Sequence, residues 1–300
     1  MEDQAQALRE ARLSAFLPNK VDDSHIVDVL IEERCPSFAN HWTWPALRPV
    51  LYKLLQYKKA LRMADDIAEL SDGHACFEYL VDALGLRLSV RGVDHIPRSG
   101  RMVIASNHPT GLADGAAVYG GLAKFRPDLE IFANSDACRV NPRFSDVIIP
   151  VEWVTDKRSP AKTRETLRRA DEAFSDERCV VIFPSGRLAH KTKGRLVDKD
   201  WFPTVVSLAR KNKAPITPMH MKASNSALYY ALSNLSGELR DITLFYELLN
   251  KQGDLFELTF GPQIPIEHLQ GDPQKVTDHL KAYVETSLSN DPDKPFAPLS

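Results

Sequence analysis

A histidine and an aspartate six positions apart, His108 and Asp114, carry residue types suited to proton transfer, in the stretch ASNHPTGLADG at 105–115. A neutral imidazole is the natural general base near pH 7. A carboxylate that holds one ring nitrogen leaves the other basic and aimed outward. Pro109 and Gly111 favour a turn that could fold Asp114 back onto His108. No serine or cysteine lies between the two, so the proton taken would belong to a bound substrate. The same stretch also reads as a helix N-cap region with a solvent-facing histidine, and spacing alone leaves both readings open.

A second segment, VVIFPSGRLAHKTKGR, opens with Pro-Ser-Gly and presents Arg187, His190, Lys191, Lys193 and Arg195 with no acidic residue before Asp198. Glycine lets backbone amides approach a ligand, and the cations suit a phosphate or an acidic carrier protein. A solvated basic loop is the alternative.

Both segments follow apolar runs that read as strands, MVIAS and CVVIF. Further strand candidates are LRLSVRG, LEIFAN, DVIIPV, APITPMHM and LFELTFG. Helical patterns such as SPAKTRETLRRADEAF and WFPTVVSLARKN separate several of them. The alternation predicts an α/β fold: a mostly parallel central sheet flanked by helices, with ligand chemistry at the strands' C-terminal ends.

Residues 1–83 read as a helical N-terminal segment, 84–290 as the α/β domain, and 291–300 as a frayed tail. In the N-terminal segment, capping aspartates start DDSHIVDVLIEE, and Pro45 or, better, Pro49 marks the first turn of a long helix. Its stripe of Val50, Leu51, Leu54, Tyr57 and Leu61, flanked by Lys53, Lys59 and Arg62, fits an anionic membrane surface. Packing on the main domain is the favoured alternative, because such stripes usually face cores. Residues 223–250 read as helical, and DPQKVTDHLKAYVETSL as an amphipathic helix.

The 300 residues carry a formal net charge of -2, which excludes a global field for nucleic acid. The four cysteines are scattered without a C-x-x-C pair, so neither a zinc site nor a disulfide framework is expected. The charged N-terminus lacks a signal peptide's apolar core, and no apolar run approaches the roughly 20 residues that span a bilayer. A reduced, cytoplasmic protein held peripherally at the inner face of the cell membrane is the expectation.

These motifs resemble the glycerolipid acyltransferase superfamily, of the 1-acylglycerol-3-phosphate acyltransferase type, over roughly residues 87–266. The resemblance makes His108 the base and Asp114 its orienter, with Asn107 beside them in the Asn-His…Asp motif. VIFPSGR is similar to the family's Phe-Pro-Glu-Gly motif and implicates Ser185, Gly186 and Arg187 in substrate binding, with Lys191 beyond them. APITPMHM resembles a late pocket strand, marking Pro215 and Pro218 as wall. Arg158 in IIPVEWVTDKR is the match to an intermediate arginine motif. Five residues separate His108 from Asp114 where the usual motif has four, a form similar to a bacterial branch of ornithine-lipid acyltransferases and hemolysin-like proteins. Ser185 replaces the usual glutamate, and the arginine comes one position early, which loosens the link to a glycerol-phosphate acceptor.

The resemblance implies transfer of a fatty acyl group from acyl-CoA or acyl carrier protein to a hydroxyl or amine of a lipid-like acceptor, without a covalent enzyme intermediate. No metal or organic cofactor is required, and amides near Gly186 are candidate oxyanion donors. A hydrolase using Ser185 is one rival, although Ser185 lacks the first glycine of a G-x-S-x-G elbow. A non-catalytic lipid-binding protein on the same fold is the other.

Overall fold

The computed structural model describes residues 11, 13–17, 24–154, 157–192 and 195–299. Asp22, Asp23 and Lys193, singled out above, lie outside the described residues.

All seven expected strands form one sheet, in the order β1 (Arg87–Arg91), β9 (Leu255–Phe260), β8 (Ile216–Lys222), β2 (Met102–Ser106), β5 (Cys179–Ile182), β3 (Leu129–Asn134), β4 (Ile148–Val151). The five strands from β8 to β4 run parallel. β9 pairs antiparallel with β8, and β1 parallel with β9, so these two run against the rest.

Strand period sorts the core. In β2, at the centre and wholly buried, Met102 and Ile104 enter one hydrophobic cluster and Val103 and Ala105 the other. The first cluster is completed by the N-terminal helices and by helix Leu112–Leu122. The second is completed by helices Pro160–Ser175, Thr204–Lys211 and Pro273–Ala282. The edges are blunted: β1 turns Arg87, Ser89 and Arg91 outward, and β4 holds Pro150.

Four local expectations change. The long N-terminal helix is two helices, Trp44–Leu54 and Tyr57–Ala68, because Gln56 adopts a left-handed conformation at φ 55°. Pro45 takes the first turn, and Pro49 sits inside the helix on an exposed stretch, although it supplies no amide to a helical bond. The cap of helix Ile26–Glu32 is His25, whose side chain accepts from the Val27 amide. The basic loop contains a hairpin, β6 (His190–Thr192) with β7 (Arg195–Val197).

The expected frayed tail is docked. Phe296 is buried against Tyr283 and His279, and Tyr283 Oη donates to the Lys294 carbonyl at 2.6 Å. The four cysteines are free and buried, and burial pushes the Cys138 and Cys179 thiols up to about 12.

Candidate active site

Register builds the site. Ala105 of β2 pairs with Ile182 of β5, so the two segments that follow leave the sheet side by side at its C-terminal edge. His108 lies three residues past that rung on one strand, and Ser185 three past it on the other. The Ala189 amide donates to the His108 carbonyl at 2.9 Å and ties the segments together.

Asp114 is the third residue of helix Leu112–Leu122 and is fully buried. Its carboxylate accepts from the amides of Thr110 (2.9 Å) and Gly111 (3.0 Å), and from the Thr110 hydroxyl. A carboxylate at this end of a helix also meets the positive end of the macrodipole. Oδ2 lies 2.8 Å from His108 Nδ1, too far off the donor axis for an in-line hydrogen bond. The contact is therefore a close approach without an in-line bond, and the five-residue spacing keeps imidazole and carboxylate together. Gly111 makes the turn at φ +93°, where a side chain would be strained and its Cβ would come 2.9 Å from Leu188.

The imidazole stacks on Phe183, with centroids 4.4 Å apart and planes at 25°. With Nδ1 facing Asp114, the ring opens onto a cavity of about 1100 Å³, of which His108 is a wall. That exceeds the roughly 300–1,000 Å³ usual for small-molecule sites. Its walls mix apolar side chains, among them Met63, Ile67, Phe77, Leu80 and Phe144, with the cations Arg158, Arg187 and Lys199 and the carboxylates Glu33, Asp136, Glu152 and Asp241.

The other predicted residues divide. Arg187 is exposed on the cavity, and among the described residues no carboxylate pairs with it. Arg158 also lines the cavity, its guanidinium donating to the carbonyls of Glu152 (3.2 Å) and Trp153 (3.5 Å). Gly186 is held at φ +56° against the Trp153 ring, where a Cβ would come within 2.5 Å. Its amide donates to the Phe183 carbonyl at 3.0 Å. Ser185 is buried and its hydroxyl donates to the Arg187 carbonyl at 2.8 Å.

Three residues stand apart from the cavity. Asn107 bonds the Met221 backbone with both amide atoms (2.8 and 2.7 Å), which makes it a strut between β2 and β8. Lys191 Nζ sits 4.2 Å from the Tyr230 ring centroid and is not among the cavity walls. Pro218 is buried within β8, beside Gly261, and lines neither this cavity nor the smaller one behind Asn107. Strand period explains it: Met219 and Met221 face one side and Pro218 the other.

Sequence reasoning missed Phe183 and Thr110, which contact the imidazole and the carboxylate of this pair. Phe183 had a usable signal, an aromatic residue directly before Pro-Ser-Gly.

Comparison with known proteins places residues 29–284 in a match to the family described as Acyltransferase. The lyso-glycine lipid O-acyltransferase of Phocaeicola vulgatus is 25% identical over 197 residues, 64% of this chain and 67% of that protein. That of Bacteroides thetaiotaomicron is 24% identical over 197 residues, 64% of this chain and 69% of that protein. The crystal structure of the 1-acyl-sn-glycerophosphate acyltransferase PlsC from Thermotoga maritima aligns with a TM-score of 0.46 at 14% identity, covering 90% of this chain and 99% of that one.

Proposed function

Because the chain belongs to the acyltransferase family, we propose that it carries a fatty acyl group from a thioester, acyl-CoA or acyl carrier protein, to the hydroxyl of a lysolipid with an amino-acid head group. The observation that carries this is His108, paired with Asp114 at 2.8 Å, in the wall of one cavity that also carries apolar side chains and the cations Arg158, Arg187 and Lys199. The acyl chain takes the apolar walls, and the head group or the carrier's phosphate takes Arg187 and Arg158. The hydroxyl class of acceptor is drawn from the two lyso-glycine lipid O-acyltransferases that the chain resembles.

In this mechanism His108 Nε2 takes the acceptor's hydroxyl proton as its oxygen attacks the thioester carbonyl carbon. The tetrahedral intermediate collapses, the C–S bond breaks, and the imidazolium returns the proton to the departing sulfur. Ester and free thiol are the products, and Asp114 stabilises the imidazolium between the two steps. Ser185 is a poor nucleophile here, since its hydroxyl is buried and donates to Arg187, and no described hydrogen bond joins it to His108.

The test is thiol release from acyl-CoA and from acyl carrier protein, with and without lyso-glycine lipid, with the lipid product weighed by mass spectrometry. Thiol release that needs the acceptor and yields the diacylated lipid supports the reading. Equal release without acceptor would make the protein a hydrolase, and no release from either donor would leave a binding protein.

Arg187 gives a sharper prediction. A guanidinium offers a planar fork to phosphate or carboxylate, and lysine does not. Arg187→Lys should lower kcat/KM about 3- to 10-fold and Arg187→Ala about 10- to 100-fold, the range of one charge-assisted hydrogen bond. Varying donor and acceptor separately shows which of them the residue holds. Parent values for both substrates would remove Arg187 from the site.

Among the described residues no helix is long and apolar enough to cross a membrane, so a lipid acceptor would be met there through a surface. Helix Trp44–Leu54 supplies a surface. Leu47, Val50 and Leu54 share one helical face and are exposed, Val50 by 72%, and Trp42 just before them is 84% exposed. Lys53 and Arg48 are exposed on the same helix. Contiguous exposed apolar surface of this kind marks an interaction site, and each nearby cation adds about 1 kcal/mol at an anionic membrane. The protein should float with anionic liposomes at low salt, and the double change Val50→Asp, Leu54→Asp should abolish flotation while leaving transfer to detergent-dispersed acceptor intact. A parent protein that fails to float would refute this membrane face.

A further inference from the structure

Thr110 gives both its amide and its hydroxyl to the Asp114 carboxylate. Its carbonyl accepts from the side-chain amide of Asn225, with 3.3 Å between Nδ2 and the oxygen. All three polar groups of this residue are thereby engaged, and it is only 2% exposed. Thr110 cannot turn without breaking one of these bonds. Asn225 comes from a distant part of the chain, 115 positions on, in the segment that leaves β8.

Asn225 is anchored in its turn. Its backbone amide donates to Tyr230 Oη at 3.2 Å. The next residue, Ser226, caps helix Ala227–Ser233 and gives its amide (2.8 Å) and its hydroxyl to Glu247. Glu247 is buried and pairs with the equally buried Lys251 at 3.1 Å. Two buried charges are costly to seat, and here they secure the residue beside Asn225.

The partner fixes which way the Asn225 amide points, because the reverse would set its oxygen against the Thr110 carbonyl. That orientation leaves Oδ1 buried without a partner among the described residues. An apolar side chain would avoid the cost, so a half-satisfied buried amide calls for a reason. The Thr110 carbonyl supplies it.

We propose that Asn225 is a positioning residue for the His108–Asp114 pair: through Thr110 it fixes the turn that sets the Asp114 carboxylate 2.8 Å from the imidazole. Asn225 is not among the walls of the large cavity, so it acts on the pair and not on a substrate. The effect on rate rests on the acyl-transfer reading, whereas the hold on the turn does not.

The experiment is amide hydrogen exchange on the full chain, resolved by residue over 107–114, for the parent and Asn225→Ala. The Thr110 and Gly111 amides bond Asp114. In the variant they should exchange about tenfold faster relative to the amides of β2, which report global opening, as expected for one lost hydrogen bond. In steady-state kinetics Asn225→Ala should lower kcat about 3- to 10-fold and leave KM for both substrates unchanged. Added to Asp114→Asn it should cost nothing further, because its route to the imidazole runs through that carboxylate. Parent-like protection of Thr110 and Gly111 in Asn225→Ala overturns the proposal, and so does a loss that adds in full to that of Asp114→Asn. If Asn225→Ala does not fold, Tyr230→Phe decides instead, since it removes the acceptor of the Asn225 amide. The same two amides should then quicken to a smaller extent, and unchanged protection counts against the proposal. If no acyl transfer is found, the functional reading fails alone, because the exchange rates still decide the positioning.

Discussion

Replacing His108 by alanine should lower acyl transfer about 10²–10⁴-fold, the usual contribution of a general base, with little effect on folding. The ring's principal packing partner is Phe183, at 4.4 Å, and its side chain is 12% exposed. Losing that stack costs about 0.5–1.5 kcal/mol, a shift in Tm of a few degrees for a chain of this size. The measurements are kcat/KM with acyl-CoA and lysolipid, paired with thermal denaturation. A variant within a few-fold of the parent rate would take His108 out of the mechanism, while a collapsed Tm would make the loss uninformative.

Asp114→Ala should be worse in a different way. The carboxylate is fully buried and accepts from two amides and a hydroxyl besides facing the imidazole. Its removal strands buried donors, each costing about 1–3 kcal/mol. A stability loss of about 3–5 kcal/mol is expected, the range seen when one partner of a buried pair is deleted, together with loss of transfer. Asp114→Asn separates the two roles. It retains an acceptor oxygen for the turn but lacks the charge that steadies the imidazolium, so it should recover most of the stability and little of the rate. Denaturant titration beside kinetics decides the matter. If Asp114→Asn matches the parent rate, the 2.8 Å contact has no part in proton transfer.

Much of this was readable along the chain. Central strands buried on both faces appear as short runs such as MVIAS and CVVI, and all seven were found. The His108–Asp114 pair was legible because both partners lie within one turn. What escaped notice depends on contacts between distant segments. Lys191 reads as a free cation until Tyr230, from a helix 39 positions later, comes beneath it. The tail reads as frayed until Phe296 meets Tyr283. The reversal of β9 also leaves no local trace, since a strand's pattern is the same in either direction. The break at Gln56 was hidden for another reason: a non-glycine residue there takes a left-handed conformation that local propensity disfavours.

The rung that joins Ala105 to Ile182 has a consequence for how such a chain can change. A residue added to the turn between His108 and Asp114 can be absorbed locally, because turn residues such as Thr110 bond the Asp114 carboxylate directly. A residue added inside β2 or β5 has no such outlet. It would rotate every later side chain in that strand to the opposite face, carrying Phe183 away from the imidazole or the imidazole away from the cavity. Turn length here is therefore open to drift, and strand length is locked, so that the cavity's rim can change while the imidazole keeps its place.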